Sequence, residues 1–180
     1  MKRTRPIPHS YWLIDGLLLA GRYPGGSTER AARTTLSRFL DAGIRTFIDL
    51  TEDTEPLAKY DAILESLAAE RGIETKYIRQ SVTDYGVPRD RDQMRRILAT
   101  IREEIDAGRP VYVHCWGGIG RTGTVIGCWL VEEGLAGPAA LQRIAELRAG
   151  MPDDSRTSPE TEEQCRYICE WLNQEAGENS

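Results

Sequence analysis

The sequence predicts an α/β fold, with a central, mainly parallel twisted sheet of about four or five strands and helices on both faces. Three observations carry that prediction. Short β-branched runs alternate with segments of helical period, and each helical segment is long enough to cross between parallel strands. Glycine or proline punctuates most junctions between the two kinds of segment. The chain has 180 residues, 40% hydrophobic and 28% charged, which suits one domain able to bury about 70% of its unfolded surface.

The elements follow in order. Residues 1–16 contain two prolines and read as irregular. Residues 17–20 form a short strand closed by G-R-Y-P-G-G, a strong turn signal. Ser27 or Thr28 caps a helix through Ala42, with Leu36, Phe39 and Leu40 on one face and Gly43 ending it. Residues 45–50 (R-T-F-I-D-L) are the next strand. A second helix runs from Pro56 to Arg71, and its stripe is Leu57, Tyr60, Ile63, Leu64, Leu67 and Ala68. Residues 73–78 give another strand, and the loop at 79–89 carries Asp84. Asp90 or Asp92 starts a third helix, whose face is Met94, Ile97, Leu98, Ile101 and Ile105. Gly108 and Pro110 precede a buried strand at 111–114, and helices at 121–133, 138–149 and 159–175 complete the chain. No linker, repeat or low-complexity tract breaks it, so residues 1–180 are expected to form a single domain that frays from Glu175 onward.

Composition excludes several classes. A formal net charge of −5 argues against broad nucleic-acid binding. The basic start leads into no apolar run of signal-peptide length, and no segment is long enough to span a bilayer, so a cytoplasmic location is expected. Cys115, Cys128, Cys165 and Cys169 show no paired metal-ligand spacing, and His9 and His114 are the only histidines available as partners. Cys128, Cys165 and Cys169 read as small buried residues. Cys115 stands apart because of its neighbours.

Those neighbours are V-Y-V-H-C-W-G-G-I-G-R-T-G-T, residues 111–124. A strand ends at His114 and Cys115 stands where it stops. A loop with three glycines leads to Arg121, where a helix begins. Glycines let successive backbone N–H groups converge, and the helix adds its positive end. The result is an anion cradle with a thiol at its base and a fixed cation on its rim. Residues 118–123 also match G-x-G-x-x-G, the dinucleotide fingerprint. That reading fails because the acid due about 20 residues on is replaced by Gln142-Arg143 inside a helix. A Walker-type loop is excluded, since no Lys-Ser or Lys-Thr pair follows the glycines. The remaining reading uses Cys115 and Arg121, whose five-residue separation wraps a tetrahedral oxyanion. There the cysteine is set to react as a thiolate, and the guanidinium bonds two phosphate oxygens in a plane.

With H-C-x-x-G-x-G-R-T-G in place, the chain resembles the cysteine-based protein tyrosine phosphatase superfamily, in its compact dual-specificity-like branch. The strand at 16–20 followed by Gly21, the strand at 47–50 with Thr51, and the order of acid loop, helix, strand and signature loop are similar to that family's. The resemblance implies a phosphomonoester hydrolase working through a phosphocysteine on Cys115, with no metal or organic cofactor expected. Arg121 and the backbone of Trp116, Gly117, Gly118, Ile119, Gly120 and Arg121 would bind the phosphoryl group. Thr122 would hydrogen-bond the cysteine sulfur. Asp84, in V-T-D-Y-G-V-P, would be the general acid, preferred over Asp90 or Asp92, which read as helix-start acids. His114 would support the nucleophile or simply orient the loop.

Other readings stay open at this point. Ser158-Pro159-Glu160 through Gln164 resembles a water-positioning loop, but reads better as a plain helix start. Trp116 lines the pocket or packs beneath it, packing being the default. Arg22, Tyr23, Arg79 and Tyr85 are rim candidates. No long tyrosine-recognition loop is evident, and the signature loop lacks a lysine, which disfavours inositol phosphates. Phosphorylated protein or a small phosphomonoester is the expected partner, with phosphotyrosine favoured. A phosphoresidue-binding module without turnover, and a redox pair of Cys115 with Cys128, are the alternatives.

Overall fold

The structure is a computed structural model and describes residues 3–172. Five strands are present among them: β1 (Ser10–Ile14), β2 (Leu18–Gly21), β3 (Thr46–Asp49), β4 (Lys76–Arg79) and β5 (Val111–His114). Six helices join them: α1 (Glu29–Asp41), α2 (Asp61–Arg71), α3 (Arg91–Asp106), α4 (Gly120–Glu132), α5 (Gly137–Arg148) and α6 (Glu162–Cys169). The sheet order is β1-β2-β5-β3-β4, parallel throughout except for β1, which pairs antiparallel with β2. The α/β sheet with helices on both faces is as expected.

Alternation along the strands decides what each face touches. Leu18, Ala20, Ile48, Val111 and Val113 point to one face and join α3, α4, α5 and α6 in one cluster. Leu19, Phe47 and Tyr112 point to the other, where Leu36, Phe39 and Leu40 of α1 and Leu64 and Leu67 of α2 cover them. There Phe39 lies 4.3 Å from Tyr112 between ring centroids, and Phe47 meets both edge-on. Burying each of these large apolar side chains contributes about 2 kcal/mol. Helix α4 is buried nearly all round, because β5 and α3, α5 and α6 surround it.

Four boundaries differ from the sequence reading, the last helix among them: α6 spans Glu162–Cys169 where 159–175 was expected, because Thr161 caps it and the chain turns after Cys169. The stretch read as irregular contains β1, whose S-Y-W-L-I run covers the exposed edge of β2; the prolines precede it. Helix α2 starts at Asp61 rather than Pro56, because the Tyr60 ring turns into the aromatic cluster and its backbone is non-helical at φ −123°. Strand β4 starts at Lys76, since Gly72 (φ 61°) and the Ile73 N–H, bonded to Ala68 O, still close the helix before it. The expected fraying from Glu175 lies outside the described residues.

Parallel registry brings the C-terminal ends of three strands level: Gly21 and Asp49 both align with His114. Ligands of open α/β sheets bind at that edge. The opposite edge is closed by charge. Glu104 of α3, nearly buried, accepts from Thr46 Oγ1 (2.7 Å), Lys76 Nζ (2.7 Å) and Arg109 Nε (2.5 Å). The Arg109 contact outweighs burial, and together these partners hold its carboxyl down at about 2. With a folded value below the ordinary 4.5, this stabilisation is present above about pH 4.5 and lost as pH falls towards 2. Glu104→Gln is expected to cost roughly 3 kcal/mol at pH 7 by urea denaturation. A variant as stable as the parent chain would show that this charge cluster does not hold the lower edge.

Candidate active site

Cys115 follows β5 directly and is nearly buried, at the floor of a cleft of about 410 Å³. The loop from Trp116 to Ile119 carries the chain into α4, whose first residue is Gly120; Ile119, at the N-cap, supplies no side-chain cap. The first N–H groups of α4 therefore have no capping side chain of their own and remain available to an anion.

The loop is oriented by what its carbonyls bond. Trp116 O accepts the Tyr23 N–H (3.0 Å), Gly118 O accepts Arg148 Nη1 (3.3 Å), and Ile119 O accepts the Ser158 hydroxyl (2.8 Å). In a planar trans peptide the next N–H points opposite to the carbonyl. Tying those three carbonyls outward turns the N–H groups of Gly117, Ile119 and Gly120 towards the cleft, which all three residues line. Gly118 does not line it. Its N–H bonds Cys115 Sγ at 3.3 Å, and its φ of 73° lies in the left-handed region. A Cβ there would fall on the carbonyl of Gly21 and within 2.5 Å of Arg22 N. Gly21 is as constrained, since its own Cβ would fall on His9 O.

Arg121, in the first turn of α4, is 2% exposed and crowded with acceptors. Glu55 holds both terminal nitrogens, Nη1 at 2.5 Å and Nη2 at 3.1 Å. Nη1 also donates to Val82 O (3.1 Å), and Nη2 meets Asp84 Oδ1 at 2.9 Å. Nε is buried without a partner. Burial disfavours the Glu55 carboxylate, but the bonds from Arg121 and the Glu52 N–H outweigh it and keep the carboxyl below the usual range. Glu55 and Arg148 were not legible as site residues. They lie 66 and 30 residues from the groups they bond, and no local pattern marks either.

Asp84 is 45% exposed, at the tip of its loop. The next residue, Tyr85, has φ 59°, rare for a residue with a side chain. The start of α6 braces that loop. Gln164, fully buried, donates from Nε2 to Gly86 O (2.9 Å), and Thr161 Oγ1 reaches Tyr85 O (3.4 Å). The segment is a helix start as expected, but it begins at Glu162 rather than at Pro159, with Thr161 and Gln164 forming a capping box. The Gln164 link to the acid loop was not foreseen. Glu160 lines the cleft and pairs with Arg156. Asp90 caps α3 by accepting the Gln93 N–H (2.6 Å), and Asp92 pairs with Arg95, so both are helix-start acids.

His114 sits in a buried network at the end of β5. Its Nε2 is 2.6 Å from Tyr60 Oη, while Nδ1 faces Cys115 O (3.3 Å) and Asp49 Oδ1 (3.9 Å). Burial pushes the imidazole down to about 4 despite the Asp49 carboxylate, and burial keeps Tyr60 protonated. The neutral ring thus carries its proton on Nδ1, facing two acceptors, and Nε2 accepts the Tyr60 hydroxyl. Asp49 is disfavoured by burial. It still lies below the usual carboxylate range, because His114, Thr51 and Tyr77 face it.

The remaining expectations divide. Trp116 does not pack beneath the loop: it is 40% exposed and lines the cleft with Arg22 and Tyr85. Tyr23 and Arg79 are not on the rim. Tyr23 is buried against Tyr60 and His114, and Arg79 pairs with Asp49 and Asp53. Thr122 is buried, but its hydroxyl makes no hydrogen bond, so the expected bond to sulfur is not made. Cys128 is a core residue whose thiol burial pushes well above the usual range, an inert setting that counts against the redox pair.

Comparison with known proteins agrees with this geometry. The family described as "polymorphic toxin system, DSP-PTPase phosphatase" matches residues 22–135, and the chain belongs to it. An uncharacterized protein of Methanocaldococcus jannaschii is 35% identical over 100 residues, covering 56% of this chain and 60% of its own. The chain spans about half the length of the curated relatives it matches. The solved structure of Tk-PTP in its active form is 28% identical, covers 93% of this chain and 98% of its own, and superimposes with a TM-score of 0.69. PTPMT1 in complex with PI(5)P shares the fold at 21% identity and a TM-score of 0.66, covering 94% of this chain and 99% of its own. The chain is a cysteine-based phosphatase domain of the dual-specificity-like kind.

Two outcomes test the cradle. Gly118→Ala adds a Cβ at a left-handed residue against the Gly21–Arg22 peptide, and is expected to cut kcat/KM at least about a hundredfold through loss of the N–H array. Near-parental turnover would show that the loop accommodates the methyl group. His114 is expected to stay neutral from pH 8 down to about 5, with no imidazole shift change by NMR over that range. A midpoint near 6.5 would contradict the buried assignment.

Proposed function

Taking membership of that family as the premise, we propose that the chain is a single phosphatase unit. It hydrolyses phosphomonoesters in two steps through a phosphocysteine on Cys115. The observation that carries this is the meeting of three groups in one cleft: the Cys115 thiol at the floor, Arg121 beside it, and Asp84 within 2.9 Å of Arg121.

Substrate phosphate docks on the N–H groups of Gly117, Ile119 and Gly120 and on Arg121. The vacant Nε–H of Arg121 and the adjoining Nη2–H form the planar fork that two phosphate oxygens accept. Asp84 also meets Nη2, so phosphate takes over that donor and releases Asp84 towards the leaving group. Glu55 keeps the far side of the guanidinium in place throughout.

In the first step Sγ of Cys115 attacks phosphorus in line with the ester bond. The S–P bond forms, the P–O bond breaks, and Asp84 gives its proton to the departing oxygen. In the second step water attacks the phosphocysteine, Asp84 takes its proton, and the sulfur leaves as thiolate. Thr122, with a buried hydroxyl free of other bonds, then stabilises that sulfur.

Phosphotyrosine is the favoured substrate, with phosphoserine and phosphothreonine accommodated. The exposed rings of Trp116 and Tyr85 at the cleft suit an aromatic ester. A second reading, a non-protein phosphomonoester, is supported by the fold shared with PTPMT1, whose structure holds PI(5)P. No helix among the described residues is long and apolar enough to cross a membrane, and a cytoplasmic setting is the proposed one.

The experiment is hydrolysis of a small aryl phosphate with EDTA present. Cys115→Ser is expected to lose turnover entirely, and Asp84→Asn to lose about a hundredfold or more in kcat with the basic limb of its pH profile removed. Parental turnover by Cys115→Ser would sink the mechanism, and binding of phosphopeptide without phosphate release would make the chain a recognition module.

A further inference from the structure

Charge around the cleft is nearly balanced. Four arginines stand in or against it, and four carboxylates face them. Arg121 pairs with Glu55 and Asp84, Arg148 with Asp153, and Arg156 with Glu160. Arg22 is the remaining cation, and its side chain makes no ion pair or hydrogen bond among the described residues, although it lines the cleft. Its backbone, by contrast, is clamped. The Arg22 N–H bonds His9 O at 3.0 Å, its carbonyl accepts the Tyr112 hydroxyl, and its nitrogen lies against Gly118 of the cradle. A fixed root and an uncommitted guanidinium describe a group reserved for something that arrives with the substrate.

We propose that Arg22 is a specificity residue that binds a second anionic group of the substrate, a carboxylate side chain flanking the phosphorylated residue of a peptide. This rests on the phosphatase reading above. Two observations favour a peptide over a polyphosphorylated headgroup. A single uncommitted cation matches one carboxylate, whereas several phosphates need several cations, and the other cleft arginines are already paired. Trp116 and Tyr85 also give the cleft two exposed aromatic walls, which suit the ring of a phosphorylated tyrosine.

The test uses three phosphotyrosine peptides that carry Glu, Gln or Lys on both sides of the phosphorylated residue, with phosphate release measured at about 50 mM salt to limit screening. The parent chain is expected to prefer the Glu peptide to the Gln peptide by about fivefold in kcat/KM, the range of one partly exposed charge pair. Arg22→Ala should bring that ratio close to one, Arg22→Lys should retain part of it, and Arg22→Glu should shift preference to the Lys peptide. An Arg22→Ala ratio equal to the parent's overturns the inference. So does an inositol bisphosphate that outperforms every peptide in an Arg22-dependent manner. Failure of the parent chain to hydrolyse any peptide or a small aryl phosphate would remove the phosphatase reading and this one together, whereas an unchanged ratio with intact turnover removes this one alone.

Discussion

The cradle depends on one constraint, the fixed direction of three peptide planes. A loop of glycines has no preference for presenting N–H groups to a cleft; it would as readily present carbonyls, which repel phosphate. What decides is that Trp116 O, Gly118 O and Ile119 O each have a donor behind them: the Tyr23 N–H, Arg148 and Ser158. These donors come from three separate parts of the chain, so the loop is oriented by the whole fold. The close approach of Gly118 to the Gly21–Arg22 peptide locks the arrangement from below.

Arg121 obeys a related logic. A guanidinium buried to this extent needs compensation, and Glu55 supplies it from the side away from the cleft. The same pair leaves Nε bare and Nη2 shared with Asp84, whose carboxylate is 45% exposed. The cation is therefore held in place, yet only part of its donor capacity is permanently used. His114 follows the opposite rule, since burial keeps it neutral and its two nitrogens are committed to Tyr60 and to the Cys115 carbonyl. Its contribution is orientation of the strand end that bears Cys115, the proposed nucleophile.

Much of this was legible in the sequence, for identifiable reasons. Alternating segments gave the sheet, because parallel strands buried on both faces leave a plain apolar signature. Residues 111–124 disclosed the cradle because its chemistry is local: cysteine, glycines and arginine are contiguous. Asp84 was separable from Asp90 because a helix cap has its own local signature, confirmed by the Gln93 N–H bond. What stayed hidden is long-range. Glu55, Arg148 and Gln164 each bond a group at least 30 residues away, and nothing in their own neighbourhoods requires it. Strand β1 was hidden by its proline-rich approach, and Trp116 by a default that assigns tryptophan to the interior.

Gln164 shows how a residue can serve a helix start and still do more. As the third residue of α6 it closes a capping box with Thr161, which would satisfy any helix start. Its carbonyl oxygen performs that task by accepting the backbone N–H groups of Glu160 and Thr161. The amide nitrogen is left over, and a buried amide nitrogen without an acceptor would be costly. Gly86 O, two residues past Asp84, is that acceptor. The requirement to satisfy one buried side chain therefore couples the helix start to the acid loop, and it helps hold Tyr85 in a left-handed conformation costing on the order of 1 kcal/mol. A helix that carries no reacting atom is in this way part of what places Asp84 over the cleft.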